Sequence, residues 1–147
     1  MNQDYLDLLR ALSEQSVDFV LVGAYALGVH GRPRATGDID LLVRPSRENA
    51  TRVMRALVEF GAPLHDLSEE DLATPGIVFQ MGLPPRRIDI LTQISGVTFD
   101  QAWASKVKAP FGDQEIFVIG REALITNKRA TGRAKDVVDA DDLESLG

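Results

Sequence analysis

Two carboxylates stand two residues apart in an apolar stretch, the segment GDIDLLV at residues 37–43. Residues 38–43 are predicted to form a buried strand, and because strand side chains alternate faces, Asp38 and Asp40 project side by side. Two like charges this close raise each other's pKa, and Mg²⁺ or Mn²⁺, which prefers carboxylate oxygens, is the simplest compensating cation. The alternative is a turn in which Asp38 bonds its own backbone and Asp40 is solvated on an edge strand.

A glycine lies between an apolar strand and a helix just upstream of these acids. The strand is predicted over residues 18–22 and ends at Gly23, and residues 24–30 favour a helix. Glycine permits a tight turn, and the amides at the start of the helix point towards an anion. The pattern therefore predicts a phosphate site at Gly23 and Ala24, and the next strand brings the two acids to it.

A third carboxylate lies in the middle of another apolar strand. Strands are predicted over residues 77–81 and 87–92, joined as a hairpin by the proline-rich loop 82–85. Arg87 and Asp89 share one face of the second strand. If this strand pairs beside residues 38–43, Asp89 lies roughly 5 Å from the other acids. The alternative is an ion pair between Asp89 and either Arg87 or Arg34.

These segments carry a family resemblance. The stretch VLVGAYALGVHGRPRATGDIDLLV at 20–43, together with RIDIL at 87–91, resembles the nucleotidyltransferase superfamily that includes DNA polymerase β. Within it the chain is similar to minimal bacterial nucleotidyltransferases and to proteins related to AbiEii toxins. That family usually has Gly-Gly or Gly-Ser where this chain has Gly23-Ala24, a change that keeps both backbone N–H groups.

The resemblance implies a set of site residues. The catalytic and metal-binding acids would be Asp38, Asp40 and Asp89, and the nucleotide-binding residues would be Gly23, Ala24, Arg34, Thr36 and Lys128. The last of these belongs to a C-terminal pattern formed by Lys128, Arg133, Lys135 and Asp136. The alternative for that pattern is an exposed amphipathic helix with ion pairs at i,i+4 spacing.

The implied reaction is the transfer of NMP from an NTP to a hydroxyl acceptor, with Mg²⁺ or Mn²⁺ as cofactor. Relatives in the superfamily modify tRNA ends, protein side chains or small antibiotics, and the sequence does not choose among these acceptors. On the resemblance alone we expect a toxin–antitoxin or defence role. The alternative is a non-catalytic nucleotide- or partner-binding protein, an antitoxin or complex subunit that retains the fold.

The elements that must position these residues predict an α/β fold with one domain over residues 1–147, a mixed, mainly antiparallel sheet and helices packed on one face. Besides the segments above, helices are predicted over 3–15, 47–60, 98–106, 122–130 and 133–146, and a strand hairpin over 107–119. The helix at 47–60 has an apolar stripe that is predicted to be buried, formed by Ala50, Val53, Met54, Leu57 and Val58.

Composition limits the function classes. A net charge of −6 argues against broad non-specific binding to duplex nucleic acid. No stretch approaches the roughly 20 apolar residues of a membrane span, and there is no export signal, so we expect a cytoplasmic protein with no membrane partner. The chain has no cysteine, and His30 and His65 lack the spacing of zinc ligands. The oligomeric state is left open.

Overall fold

The computed structural model describes residues 2–33, 37–83 and 86–147. Its helices are α1 Gln3–Glu14, α2 Gly23–Val29, α3 Arg47–Phe60, α4 Glu69–Leu72, α5 Phe99–Ala104, α6 Arg121–Ala130 and α7 Ala134–Ser145. Its strands are β1 Phe19–Val22, β2 Ile39–Val43, β3 Val78–Met81, β4 Ile88–Leu91, β5 Val107–Phe111 and β6 Gln114–Val118.

The six strands form one mixed sheet in the order β3-β4-β2-β1-β6-β5. The pairs β1/β2, β3/β4 and β5/β6 are antiparallel, whereas β2/β4 and β1/β6 are parallel. The predicted α/β class and the mainly antiparallel sheet are therefore confirmed, as are both predicted hairpins. The parallel pairing of β2 with β4 places the strand that carries Asp89 directly beside the strand that carries Asp40.

Helix α3 begins and ends where its sequence predicts. The Ser46 hydroxyl accepts a hydrogen bond from the Asn49 amide at the first turn, and Gly61 ends the helix in the left-handed conformation with φ of 88°. A serine cap satisfies an amide that has no partner within the helix, and glycine adopts positive φ without steric cost. Helix α3 packs against α1, and together they cover part of the core.

The buried stripe of α3 is narrower than predicted. Val53 and Leu57 are fully buried, but Val58 is 64% exposed, so its predicted burial is wrong. Val58 follows Leu57 by one residue and is therefore rotated by about 100° around the helix axis, away from the core.

Two long-range contacts hold the end of the sheet where the acids lie. The Tyr5 hydroxyl of α1 donates a hydrogen bond to the Arg87 carbonyl oxygen at 3.2 Å, just before β4. His30 Nε2 lies 2.7 Å from the Ile119 carbonyl oxygen, just after β6. His30 therefore has a structural contact at the end of α2, consistent with its lack of zinc-ligand spacing.

None of the helices in the described ranges is long and apolar enough to cross a membrane.

Candidate functional site

Asp40 and Asp89 are direct partners across the parallel pair β2/β4. Side chains of cross-strand partners project from the same face of a sheet, so the two carboxylates meet. The neighbouring charge of Asp89 is one of the causes that raise the pKa of Asp40. Asp89 is buried, and Asp40 is half-buried at its side. The conditional prediction that Asp89 lies beside the first acids is confirmed by this pairing.

Asp38 directly precedes the first residue of β2 and is not part of the strand. The strand was predicted to begin at 38, but it begins at Ile39, whose amide donates to the Arg87 carbonyl oxygen at 3.0 Å. The Asp38 carboxylate accepts a hydrogen bond from the Arg87 backbone amide at 3.2 Å. Since this carboxylate is bonded to the residue that precedes β4, Asp38 is held next to Asp40 and Asp89.

Gly23 packs directly against Asp40. Its φ is +73°, and a Cβ placed on it would come within 2.2 Å of Asp40 Oδ2. Real side chains do not approach this closely, so only glycine fits both the turn and the contact. The sequence explains Gly23 by a phosphate, and the structure adds the acid of the neighbouring strand as a second reason for glycine.

An arginine links the outer two acids. Arg87 Nε lies 2.9 Å from Asp89 Oδ1, and its Nη2 lies 3.3 Å from Asp89 Oδ2 and 3.5 Å from Asp38 Oδ2. The ion pair with Arg87, weighed above as the structural alternative for Asp89, is thus present. The hydrogen bond and the charge of Asp89 together hold the pKa of the guanidinium above its usual range.

Burial and the neighbouring acids together disfavour the charged form of Asp40. The pKa of Asp40 is raised to about 6, first by burial and then by the charge and hydrogen bond of Asp89 and the charge of Asp38. Arg87 lowers this pKa, but it does not offset the other causes. A carboxyl group that resists ionisation beside two further acids is the arrangement expected of a site that receives added positive charge.

Helices α6 and α7 provide a second charged cluster across from the sheet. Lys128 Nζ lies 3.2 Å from Asp136 Oδ1 and 3.6 Å from Asp139 Oδ2. Asp136 Oδ2 also accepts from Arg133 Nε at 2.8 Å and from the Thr131 hydroxyl at 2.7 Å. The alternative of an exposed helix with i,i+4 pairs is wrong for Lys128, because its side chain is only 12% exposed and its partners are buried.

The two clusters line one cleft of about 610 Å³. One side of the cleft is formed by Gly23 and Ala24 at the start of α2 and by Asp40, Arg87 and Asp89 at the sheet. The other side is formed by residues of α6, α7 and the turn between them, namely Asn127, Lys128, Thr131, Arg133, Lys135, Asp136 and Asp139. The structure therefore brings together Gly23, Ala24, Lys128 and two of the three predicted acids, with Asp38 joined to them through Arg87. The remaining predicted residues, Arg34 and Thr36, lie outside the described residues.

Sequence reasoning missed two features of this cleft. Arg87 was considered only as the partner that would remove Asp89 from catalysis, and Asp139 was not singled out. The spacing of Asp136 and Asp139, three residues apart on one face of α7, was a signal available in the sequence. No local pattern could show that Lys128 of α6 lies between them.

The carboxylates of Asp38, Asp40 and Asp89 are ligands of the type that a divalent metal prefers, but they do not form a complete coordination site in this arrangement. Within the described ranges, no three acidic or histidine side chains are clustered tightly enough to hold a metal ion. The available donors are carboxylate oxygens, which Mg²⁺ and Mn²⁺ prefer. Burial and the charges of Asp89 and Asp38 raise the pKa of Asp40, and a bound cation would favour its ionised form. The residues thus fit the metal, on the condition that the guanidinium moves away from Asp38 and Asp89.

The fold and the cleft define a class: a small α/β protein with paired carboxylates on its sheet facing cationic side chains, as suits phosphate-containing substrates. Residues 1–146 match a family model described as "Nucleotidyl transferase of unknown function (DUF2204)", and the chain belongs to that family. It is therefore a nucleotidyltransferase, as the resemblance implies. No curated protein matches the chain by sequence.

Two solved structures have a similar fold. The lincosamide antibiotic adenylyltransferase LnuA, solved with lincomycin bound, aligns with a TM-score of 0.61 at 14% identity, covering 100% of this chain and 98% of its own. A candidate nucleotidyltransferase from Thermotoga maritima aligns with a TM-score of 0.55 at 19% identity, covering 99% of this chain and 94% of its own. At these identities the likeness concerns the fold alone, and no specific link to AbiEii is among these similarities.

Proposed function

We propose that the protein transfers NMP from an NTP to a hydroxyl acceptor in a divalent-metal-dependent reaction. The observation that carries the proposal is the pairing of Asp40 with Asp89 on a cleft wall that faces Lys128. Paired carboxylates that face a buried lysine place ligands for a cation opposite a group that binds phosphate.

In this proposal Asp38, Asp40 and Asp89 hold Mg²⁺ or Mn²⁺. When bound, the metal supplies positive charge that stabilises the attacking and leaving oxygens. Asp89 accepts the proton of the acceptor hydroxyl, whose oxygen forms a bond to the α-phosphorus. The bond between the α-phosphorus and the bridging oxygen breaks, and pyrophosphate leaves with its electron pair. Asp89 is suited to this because its carboxylate is buried in β4, directly beside Asp40 of β2.

The triphosphate is assigned to the space between the two walls of the cleft. Gly23 and Ala24 line the cleft with their backbone beside Asp40, and Lys128 faces them from α6. Backbone amides and a lysine ammonium are both donors that neutralise phosphate oxygens. By resemblance Arg34 and Thr36 would add to this set.

The acceptor is a hydroxyl on a tRNA end, a protein or a small molecule. The similarity in fold to an adenylyltransferase of lincosamide antibiotics supports testing small molecules alongside the two macromolecules. A toxin–antitoxin or defence role and a cytoplasmic location are carried over from the sequence as parts of the proposal, and transfer to an acceptor from the host cell would support them.

The first prediction is that the protein transfers label from an α-labelled NTP in the presence of Mg²⁺ and that Asp89→Asn lowers the rate by roughly 10²-fold or more, the scale of a lost general base. Each labelled NTP is incubated with total tRNA, lysate protein or a small-molecule extract, and the labelled acceptor is identified. Asp113→Asn is the control, since Asp113 is an exposed acid that pairs with Arg10 at the protein surface.

A labelled acceptor that forms equally fast with Asp89→Asn would remove Asp89 from the mechanism. The second candidate function, a non-catalytic binding protein, is favoured by the ion pair of Arg87 with Asp89. It predicts no transfer in either protein and an effect of Asp89→Asn on stability or partner binding alone.

A further inference from the structure

Arg87 binds the same carboxylate oxygens that the proposed metal requires. Its Nε and Nη2 contact both oxygens of Asp89, and Nη2 also reaches Asp38 Oδ2 at 3.5 Å. The guanidinium thus spans the two outer acids of the site. Its side chain lies on the same strand face as Asp89, two residues earlier, which keeps it in the cleft.

A guanidinium and a divalent cation placed on the same carboxylate oxygens oppose each other. Metal ligation by Mg²⁺ needs oxygens at roughly 2.0–2.1 Å in a fixed geometry, and the two positive charges repel each other in a partly buried site. Binding of one therefore opposes binding of the other. The carboxylates cannot move away to avoid the conflict, because Asp89 is buried within β4 and Asp38 is bonded to the Arg87 amide.

A triphosphate bound in the same cleft would offer the guanidinium a second partner. Arg87 lines the same cleft as Lys128 of α6, in the space to which the triphosphate is assigned. Planar guanidinium groups bind phosphate oxygens with paired hydrogen bonds much as they bind carboxylates. Movement of this one side chain would therefore exchange a carboxylate partner for a phosphate partner.

We propose that Arg87 is an exchangeable counter-ion: it competes with the metal for Asp38 and Asp89 and, once displaced, binds the triphosphate of the NTP. This inference rests on the proposed function for its nucleotide half. Its consequence is cooperativity, because metal that displaces Arg87 releases a phosphate ligand, and phosphate that captures Arg87 frees the metal ligands. Such coupling is reciprocal by thermodynamic linkage.

The neighbouring residue provides a matched control. Arg86 carries the same charge one position earlier but is exposed, and it lines a different cavity with Tyr5, Tyr25 and Gly37. Arg86→Met therefore removes the same charge from the same segment without removing a partner of Asp89. Arg87→Lys is a second informative variant, since lysine keeps the charge but cannot span two carboxylates as a planar fork does.

The experiment titrates Mn²⁺ into wild type, Arg87→Met, Arg87→Lys and Arg86→Met and measures free Mn²⁺ by electron paramagnetic resonance. Without nucleotide we expect Arg87→Met to bind Mn²⁺ roughly 10-fold tighter than wild type, because a competing cation has been removed. Arg87→Lys should lie between the two, and Arg86→Met should stay close to wild type. Circular dichroism of each variant checks that it is folded.

A second titration uses the Mn²⁺ complex of a non-hydrolysable ATP analogue. Here Arg87→Met should bind roughly 10-fold weaker than wild type, since a charge-assisted contact to phosphate is lost. Opposite changes in the two titrations are the signature of the exchange. A folded Arg87→Met that binds free Mn²⁺ no tighter than wild type, or an equal effect of Arg86→Met, would overturn it.

The outcomes separate this inference from the proposed function. Absence of NMP transfer by wild type would defeat the proposed function, while the Mn²⁺ titration without nucleotide would still decide whether Arg87 competes with metal. Intact transfer with equal Mn²⁺ affinities in wild type and Arg87→Met would defeat the exchange and leave the proposed function standing.

Discussion

The cleft has two charged walls, one on the sheet and one on helices α6 and α7. Each contains a carboxylate among charged neighbours, but the pKa of that carboxylate is raised on the sheet and lowered on the helices. On the sheet, Arg87 pairs with Asp38 and Asp89, and the pKa of the neighbouring Asp40 is raised to about 6. On the helices, Asp136 is also buried, but it accepts hydrogen bonds from Thr131, Lys128 and Arg133. Burial raises the pKa of Asp136, yet these donors outweigh it and the net pKa lies below its usual value.

The difference teaches that burial alone does not distinguish a reactive acid from a structural one. Burial is the first cause acting on both Asp40 and Asp136, and the sign of the net pKa shift is decided by how many donors and acids surround each group. On the helices, three donors offset the charge of Asp136, and Asp136 in turn holds Lys128 in place. On the sheet, burial and the charges of Asp89 and Asp38 outweigh the effect of Arg87 on the pKa of Asp40.

The largest stability effect is expected at the helix wall. Asp136→Ala should lower the free energy of unfolding by about 3 kcal/mol or more, because it leaves Lys128 buried with a weaker partner and removes the acceptor of Thr131 and Arg133. Chemical denaturation at pH 7 measures it. Asp141→Ala is the control: its partner Arg129 and its own side chain are exposed, so a loss under about 1 kcal/mol is expected. Equal losses would contradict the contrast between buried and exposed pairs.

The next effect concerns the crowding between the sheet wall and its glycine. Gly23→Ala should cost about 2–3 kcal/mol, part from positive φ and part from a Cβ that meets Asp40 Oδ2. Gly132→Ala is matched in backbone, with φ of +71° against +73°, but has nothing within 4 Å. It should cost only about 1 kcal/mol.

Denaturation of the two glycine variants gives the crowding at Asp40 by difference. Gly23→Ala should also weaken Mn²⁺ and NTP binding, because the Asp40 carboxylate must move, whereas Gly132→Ala should leave both unchanged. If both variants lost the same stability and kept their affinity for ligands, the close approach of position 23 to Asp40 would have no energetic effect.

The smallest effect has the opposite sign. Without metal, Asp40→Asn should raise the free energy of unfolding at pH 7 by about 1–2 kcal/mol, since it removes a carboxylate whose ionisation is disfavoured in the folded state. Asp136→Asn is the comparison and should destabilise. A loss of stability in metal-free Asp40→Asn would mean that the sheet wall is as well satisfied as the helix wall.

The pH dependence sharpens this result. The folded protein holds the Asp40 proton up to a pKa of about 6, whereas the ordinary value is 3.8. Between these values the folded state binds more protons, so the Asp40 contribution to stability falls as pH rises from about 4 to about 6. Asp136 has the opposite sign, and its contribution is lost as pH falls below its ordinary range. In thermal unfolding, the Tm of Asp40→Asn should therefore decrease less than that of wild type as pH rises from about 4 to about 6.

The sequence by itself determined the local geometry of the site. Strand alternation predicts the face of Asp40 within β2, the glycine between strand and helix predicts the turn, and the helix capping at Ser46 and Gly61 bounds α3. Each depends on residues a few positions apart, whose relation is set by backbone periodicity. The predicted burial of Val58 failed because the width of a buried stripe depends on what packs against the helix.

Tertiary structure decided which distant groups meet. The parallel pairing of β2 with β4 joins Asp40 to Asp89 across 49 positions of sequence, and the packing of α6 on α7 places Lys128 between Asp136 and Asp139. The double contact of Arg87 with Asp38 and Asp89 depends on the first of these pairings. The charge environment in a cleft is a sum over neighbours from several elements, so the pKa of Asp40 and the contact of Arg87 with Asp38 are properties of the folded chain and not of any segment.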